Sequence, residues 1–200
     1  MLENYYENLY KDQLVMGIDE VGRGPLCGPE VVACCILPKD YNNDLINDSK
    51  KLSEKKRELL FKEIINNAIY YSFEIMSPEL IDKYNIYDST KIAMTNLYKK
   101  GNLKFNNLIT ITDAMPLEKI DNHEVFSIIK GDAKSINIAA ASILAKVVRD
   151  HIMKGYDILY PQYEYNKHKG YPTKRHLELM DQYGITKIYR LSYKPCKKFL

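Results

Sequence analysis

The chain is short of the features that would make it a secreted, zinc-binding or membrane protein. Its 200 residues contain only four cysteines, Cys27, Cys34, Cys35 and Cys196. Cys34 and Cys35 are adjacent and cannot readily bridge within one strand, and no pair has CxxC spacing, so neither a disulfide framework nor a zinc knuckle is indicated. All four are expected to be reduced, most of them in the core. No stretch is apolar for long enough to cross a bilayer, and Met1 to Gln13 (MLENYYENLYKDQ) lacks the basic start and apolar run of a secretory leader. A cytoplasmic protein with no membrane partner is therefore expected. There is no repeat, no Gly/Ser-rich linker and no low-complexity tract to separate two domains. With 46% hydrophobic residues the chain can bury one substantial core, and residues 1–200 read as a single domain.

Charge of one sign is unevenly placed. Residues 146–200 hold 12 Lys and Arg against 5 Asp and Glu, whereas residues 1–145 hold 17 against 21. A basic tail beside an acidic front suits a polyanion-binding surface next to a carboxylate-lined metal site, although ordinary solvated surface explains the charges equally well.

Hydrophobic patterning gives the elements. Leu14–Asp19 and Val31–Leu37 read as strands separated by the turn-rich Gly22–Pro29 segment, and Ile69–Ile75 reads as a third strand. Ser53 is placed to cap a helix running to about Ala68, and Ser77-Pro78 is a helix start. Asp88 or Ser89 suits the cap of a further helix, with Gly101 as its C-terminal stop. Leu108–Thr112 and Glu124–Ile129 read as strands four and five. A long helix from about Ile138 to Tyr156 follows, with Ile138, Ala141, Ala145 and Val148 on one face. This order implies an α/β protein, a mixed sheet with helices packed on it.

Three of these strands end at or just before acidic residues: Asp19 and Glu20 after the first, Asp113 after the fourth, Asp132 after the fifth. Strand ends can bring distant positions together at a crevice. In a regular strand Asp19 and Glu20 point to opposite faces, so both can serve one site only if the strand breaks there, for which Gly22 and Gly24 supply the freedom. Clustered carboxylates raise one another's pKa and call for a cation. All-oxygen ligands favour Mg²⁺ or Mn²⁺ over zinc, and two such ions about 4 Å apart suit an in-line phosphoryl displacement. Taken singly, an acidic residue at a strand end is more often a turn former or a helix cap.

The segment Gly17 to Pro29, GIDEVGRGPLCGP, resembles the signature of the type 2 ribonuclease H family, ribonuclease HII of bacterial type. Further matches follow in order: DSKKLS at Asp48–Ser53, KGD at Lys130–Asp132, AAASILAKVVRD at Ala139–Asp150 and HKGYPTK at His168–Lys174. Five motifs in order are far more specific than one.

The resemblance implies a ribonuclease H-like fold, with residues from about 157 to 200 as a basic helical extension that grips substrate. It implies that Asp19, Glu20, Asp113 and Asp132 are the catalytic, metal-binding carboxylates of a two-metal site. It matches Gly22, Arg23 and Gly24 to the loop whose backbone senses the ribose 2′-hydroxyl, and Tyr171 to the tyrosine that packs on the sugar beside the cut. Lys50, Lys51, Lys146, Lys169 and Lys174 become candidate phosphate contacts. His168 is read as a local hydrogen-bonding residue, Asp48 as a turn former, and Asp150, next to Arg149, as half of a structural ion pair.

The implied activity is cleavage of the RNA strand of RNA/DNA hybrids, and cleavage 5′ to single ribonucleotides in duplex DNA to give 3′-hydroxyl and 5′-phosphate ends. The implied task is ribonucleotide removal, with a share in RNA primer removal. A monomer is expected, and Lys194–Leu200 shows no sliding-clamp peptide. No platform domain precedes Asp19, which argues against the type 3 enzyme. Departures from the family pattern are Cys27 and Glu30 where small or apolar residues are usual, Ala114 where Gly is common, and Tyr189–Tyr193 (YRLSY) in place of an HRxSF ending. Two alternatives predict other behaviour: a resolvase-like carboxylate nuclease would cut branched DNA, and a non-catalytic binding module would bind duplex without cutting it.

Overall fold

In the computed structural model, residue 2 and residues 4–46 and 52–200 are described. A five-residue helix α1 (Tyr5–Leu9) precedes strand β1 (Leu14–Val21), which turns through the Gly22–Pro29 loop into β2 (Glu30–Ile36). Helix α2 (Glu54–Asn67) is followed by β3 (Tyr70–Met76), α3 (Pro78–Tyr84) and α4 (Ile86–Lys104). Then come β4 (Leu108–Asp113), β5 (Val125–Ile128) and the long α5 (Ile136–Leu159). The short α6 (Tyr165–His168) and α7 (Lys174–Tyr183) complete the helices. The sheet order is β3-β2-β1-β4-β5, with β1, β2 and β3 antiparallel and β1, β4 and β5 parallel. This is the mixed α/β sheet that the hydrophobic pattern implied.

The period-2 pleat divides the core. Val31, Ala33 and Cys35 point to one face and meet α2 and α5 through Leu60, Ile64, Ala140, Ile143 and Leu144. Val32, Cys34 and Ile36, with Met16 and Ile18 of β1, point to the other and meet α3 and α4 through Ile81, Met94, Leu97 and Tyr98. β2 is covered on both sides, which is why its sequence is an unbroken apolar run after Glu30. All four cysteines are buried and free. Burial pushes the thiols of Cys27 and Cys34 up to about 12, so they behave as small core residues.

Ser53 and Ser77 cap α2 and α3 through bonds from the Lys56 and Leu80 amides, as the sequence indicated. Three boundaries differ. Asn85, not Asp88 or Ser89, caps α4, its Oδ1 accepting from the amides of Tyr87 and Asp88. Gly101 does not stop that helix. It lies inside it, where a Cβ would come within 3 Å of Met16 and Leu108, so its smallness lets α4 lie close on the sheet. α5 begins two residues earlier than the apolar spacing suggested, because Ser135 caps it and α1 covers its first turn. Asn4 Oδ1 accepts from the Ile136 amide and Glu7 Oε1 from the Asn137 side chain. The N-terminus of α5 also crosses β1 at Gly17, where a Cβ would lie 2.2 Å from the Asn137 backbone.

The C-terminal part is helical and packs beneath the Gly22–Pro29 loop. Leu26 and Cys27 share a buried cluster with Met153, Tyr163, Tyr165, Leu179, Met180, Ile188 and Tyr189. Backbone bonds join the two: Leu26 N to Gly170 O, Gly28 N to Ile188 O and Arg190 N to Leu26 O. No helix among the described residues is long and apolar enough to cross a membrane.

Candidate active site

β1 and β4 run parallel with Ile18 opposite Thr112, so the next residues, Asp19 and Asp113, are neighbours across the ladder. Both lie on the α5 side, since Ile18 packs on the opposite face and Ile111 packs against Ile138 of α5. Asp132 arrives from the 3₁₀ turn Gly131–Ala133 that joins β5 to α5. Asp19 and Asp132 are buried and Asp113 partly so, and ligand oxygens from all three lie within 4.8 Å of one another. Asp113 Oδ1 accepts from the Gly131 amide at 2.8 Å, and Asp19 Oδ1 accepts from the Glu20 amide at 2.7 Å. Ser142, on the face of α5 turned to the sheet, hydrogen-bonds Asp19 as well.

These bonds favour ionised Asp19 but do not decide its state. Burial, the largest influence, and the charge of Asp113 push its carboxyl well above the usual carboxylate range. Such a cluster is strained when ionised and empty of cation. Three oxygen donors with no His or Cys among them fit a hard divalent ion.

Glu20 stands differently. β1 does not break after Asp19; it continues to Val21, with Glu20 paired to Val32. The pleat therefore turns Glu20 to the α4 side, and it is outside the three-aspartate set. Its Oε1 lies 3.7 Å from Arg23 Nη1, and its Oε2 is buried with no partner among the described residues. Burial first, then the charges of Asp19 and Glu30, pushes its carboxyl up. Glu30, on the same sheet face, is buried and accepts from Thr90 Oγ1 at 2.6 Å, and its pKa is pushed up to about 7 by burial.

The Gly22–Gly24 loop lies alongside. Gly22 has φ +111°, and a Cβ there would lie 2.4 Å from Arg149 Nε, so only glycine fits. Gly24 sits 3.6 Å, measured from its ideal Cβ position, from the ring of the half-exposed Tyr171, which brings the loop and the HKGYP segment together.

The lysines are less free than their motifs suggest. Lys146 Nζ donates to Asp150 Oδ1 at 2.7 Å, and Lys169 Nζ donates to both the backbone and side-chain oxygens of Asn166. Lys174 is exposed at the start of α7, 4.0 Å from Glu178. Lys50, Lys51 and Asp48 lie outside the described residues. Asp150 does form ion pairs, with Lys146 and, at 3.7 Å, with Arg57. The adjacent Arg149 is not its partner: it points inward, because its guanidinium is taken by three backbone carbonyls. His168 accepts from the Gly170 amide and bonds Tyr163 O, the local role expected of it.

Sequence reading passed over Ser142, Arg149, His176 and Arg190. Arg149 could have been flagged by its place in the AAASILAKVVRD motif. Arg190 keeps the arginine of the HRxSF ending, a signal that could have found it, whereas His176 carries no local signal and its burial follows from tertiary packing alone.

Residues 16–196 match the family model described as Ribonuclease HII. The ribonuclease HII of Listeria innocua serovar 6a is 47% identical over 199 residues, covering 98% of this chain and 75% of the relative. Among solved structures, the crystal structure of ribonuclease H2 from Pyrococcus horikoshii OT3 superposes with a TM-score of 0.70 at 25% identity, covering 93% of this chain and 96% of that one. The ribonuclease HII solved in a complex with PCNA from Archaeoglobus fulgidus gives 0.72 at 25% identity, covering 90% and 95%. The sheet and its flanking helices are thus a ribonuclease H-like fold.

Proposed function

The chain belongs to the ribonuclease HII family of endoribonucleases, hydrolases that cut RNA in RNA/DNA hybrids, and from that membership we propose that it also cuts on the 5′ side of single ribonucleotides in duplex DNA, leaving 3′-hydroxyl and 5′-phosphate ends. The observation that carries this reading is the convergence of Asp19, Asp113 and Asp132, oxygens within 4.8 Å, beside a glycine loop and an accessible tyrosine.

Asp19, Asp113 and Asp132 would hold the divalent cations, Mg²⁺ or Mn²⁺, and Glu20 would join them only by swinging its carboxyl from the face to which the pleat turns it. Such ions, when bound, supply a water activated for attack on phosphorus and stabilisation of the departing oxygen. The protein's own groups do the rest. The Gly131 amide and Ser142 hold two of the aspartates in place. The Gly22–Gly24 backbone, bare of side chains at both glycines, approaches the ribose and tells it from deoxyribose by its 2′-hydroxyl. Tyr171 offers a ring face to the neighbouring sugar. Arg23, Lys174 and Lys50 contact phosphates, which position the duplex without reading its sequence. Lys146 and Lys169 join them only by exchanging their present acceptors for phosphate. The substrates are RNA/DNA hybrid and ribonucleotide-containing duplex DNA, and the protein works in the cytoplasm as a monomer.

The test is a labelled duplex with one embedded ribonucleotide, beside an all-DNA duplex and a hybrid with a continuous RNA strand, with and without Mg²⁺ or Mn²⁺. Metal-dependent cutting 5′ to the ribonucleotide is expected, and Asp19→Asn should abolish it. Undiminished cutting by Asp19→Asn would falsify the assignment.

A further inference from the structure

Two buried guanidinium groups, from α5 and from the C-terminal segment, hold the Gly22–Pro29 loop from beneath. Neither forms an ion pair within 4.0 Å among the described residues; both are spent on backbone carbonyls. Arg190 Nη2 donates to Gly22 O at 2.7 Å and to Gly28 O at 2.9 Å, and its Nη1 donates to Arg23 O at 3.1 Å. Nη1 also donates to the Tyr193 hydroxyl, which in turn donates to Arg23 O at 2.6 Å. Arg149 donates to Cys27 O, Pro29 O and Lys169 O, and its guanidinium lies 5.8 Å from the centre of the Tyr171 ring.

The consequence follows from peptide geometry. In a trans peptide the C=O and the following N–H point in opposite directions. Arg190 draws the carbonyls of Gly22 and Arg23 inward, so the amides of Arg23 and Gly24 are turned outward. Neither amide finds an acceptor within the protein among the described residues. They face outward where Tyr171 stands beside Gly24. Two glycines in three residues leave this stretch free to rotate its peptide planes, so its own sequence does not choose which edge faces out.

We propose that Arg190, seconded by Tyr193, is the positioning residue that fixes the outward edge of the Gly22–Gly24 backbone, so that discrimination of ribose from deoxyribose is set from the C-terminal segment. The inference rests on the proposed function, in which this loop reads the 2′-hydroxyl. It gives the YRLSY ending a task, and it explains how two cationic side chains are tolerated in the interior: carbonyl oxygens satisfy them, as buried polar groups require.

The test compares wild type, Arg190→Lys and Tyr193→Phe. Affinity for a duplex with one embedded ribonucleotide is measured against the same duplex in all-DNA form, in chelator so that no cutting intervenes. Lysine keeps the charge but cannot reach several carbonyls at once. In Arg190→Lys the ratio of the two affinities should fall about fivefold, and in Tyr193→Phe about twofold, the range one neutral hydrogen bond is worth. Affinity for the all-DNA duplex should stay as in wild type. A purely structural role would lower both affinities together, and that result, or an unchanged ratio in both variants, overturns the inference. Thermal melts accompany the binding. If Arg190→Lys does not fold, Tyr193→Phe decides, since it removes one hydroxyl from a side chain that is not buried. Wild-type cutting of the ribonucleotide duplex in Mg²⁺ is measured in parallel. If wild type does not cut it, the functional reading falls first and this inference with it; if it cuts while the variants keep their preference, this inference alone fails.

Discussion

The Gly131 amide donates to Asp113 Oδ1 at 2.8 Å, and this one bond joins the end of β4 to the turn that carries Asp132. It fixes one aspartate by the backbone that presents the other. Asparagine at 113 can still accept from Gly131 through its amide oxygen while losing the negative charge. Asp113→Asn should therefore melt within about 1 kcal/mol of wild type, yet lose about a hundredfold or more in single-turnover cutting, as removal of one preorganised electrostatic group does. Cutting at the wild-type rate would remove Asp113 from the catalytic set.

The mutual repulsion of the aspartates has a thermal consequence. Without cation, burial and the neighbouring carboxylates make ionised Asp19 costly to hold. Asp132 is the smallest of the influences on Asp19, so Asp132→Asn should melt slightly higher than wild type in chelator, by about a degree, where roughly 1 kcal/mol is worth about 2–4 °C in a chain of this size. Added Mg²⁺ or Mn²⁺ should raise the melting temperature of wild type and leave the variant nearly unmoved. Melting curves with and without metal check both. A variant that melts lower than wild type in chelator would mean that repulsion is not what strains the site.

Ala114, directly after Asp113, has φ +53° and is exposed. An alanine in that left-handed region costs about 1–2 kcal/mol, part of which glycine returns through its greater freedom in the unfolded chain. Ala114→Gly removes no buried contact, so it should stabilise the protein by about 1 kcal/mol. Its Asp113–Gly131 bond should be kept, and with it the cutting rate. Urea unfolding with an unchanged slope would measure the gain, and a loss of stability would show that the alanine is held there by contacts rather than tolerated.

Much of this site could be read along the chain because its parts follow local rules. Asp19, Asp113 and Asp132 stand at or near strand ends, and parallel register then makes the first two neighbours. Ser53 and Ser77 cap their helices by chemistry that is local. Glu20 illustrates what sequence cannot settle. Whether it shares a face with Asp19 depends on where β1 stops, and pairing with β2 as far as Val21, a tertiary fact, carries the strand past it. Gly101 looks like a helix stop only until its contact with Met16 is known. Arg149 and Arg190 are further cases. Arginine is usually exposed, and their burial follows from the carbonyls that a distant loop turns toward them.

His176 gives the C-terminal part a dependence on acid. Its ring is buried and stacked on His168 with centroids 4.1 Å apart. Its Nδ1 bonds Tyr171 O at 2.9 Å and its Nε2 bonds the Tyr189 hydroxyl at 2.8 Å. The neutral ring meets both demands, with Nδ1–H donating to the carbonyl and Nε2 accepting from the tyrosine. A second proton would have to be buried beside His168 and would displace the tyrosine's donated bond. Burial therefore pushes the pKa of His176 down from 6.5 to about 4. Between those two values this histidine binds more proton in the unfolded chain than in the folded one, so its share of the stability is fully present above about pH 6.5 and declines as the pH falls toward 4. A shift of that size corresponds to at most about 3 kcal/mol once both states are protonated. Because His176 holds the backbone of Tyr171, weakening should begin at the ring beside the Gly22–Gly24 loop. The raised carboxyls of Asp19, Glu20 and Glu30 favour the folded state as the pH falls through this window, and they do so in both proteins, so the difference between the two is what His176 sets. Wild type should lose melting temperature steadily from pH 6.5 to 4 relative to His176→Gln, which keeps a donor and an acceptor but does not titrate. Parallel profiles for the two proteins would mean that acid acts on some other group.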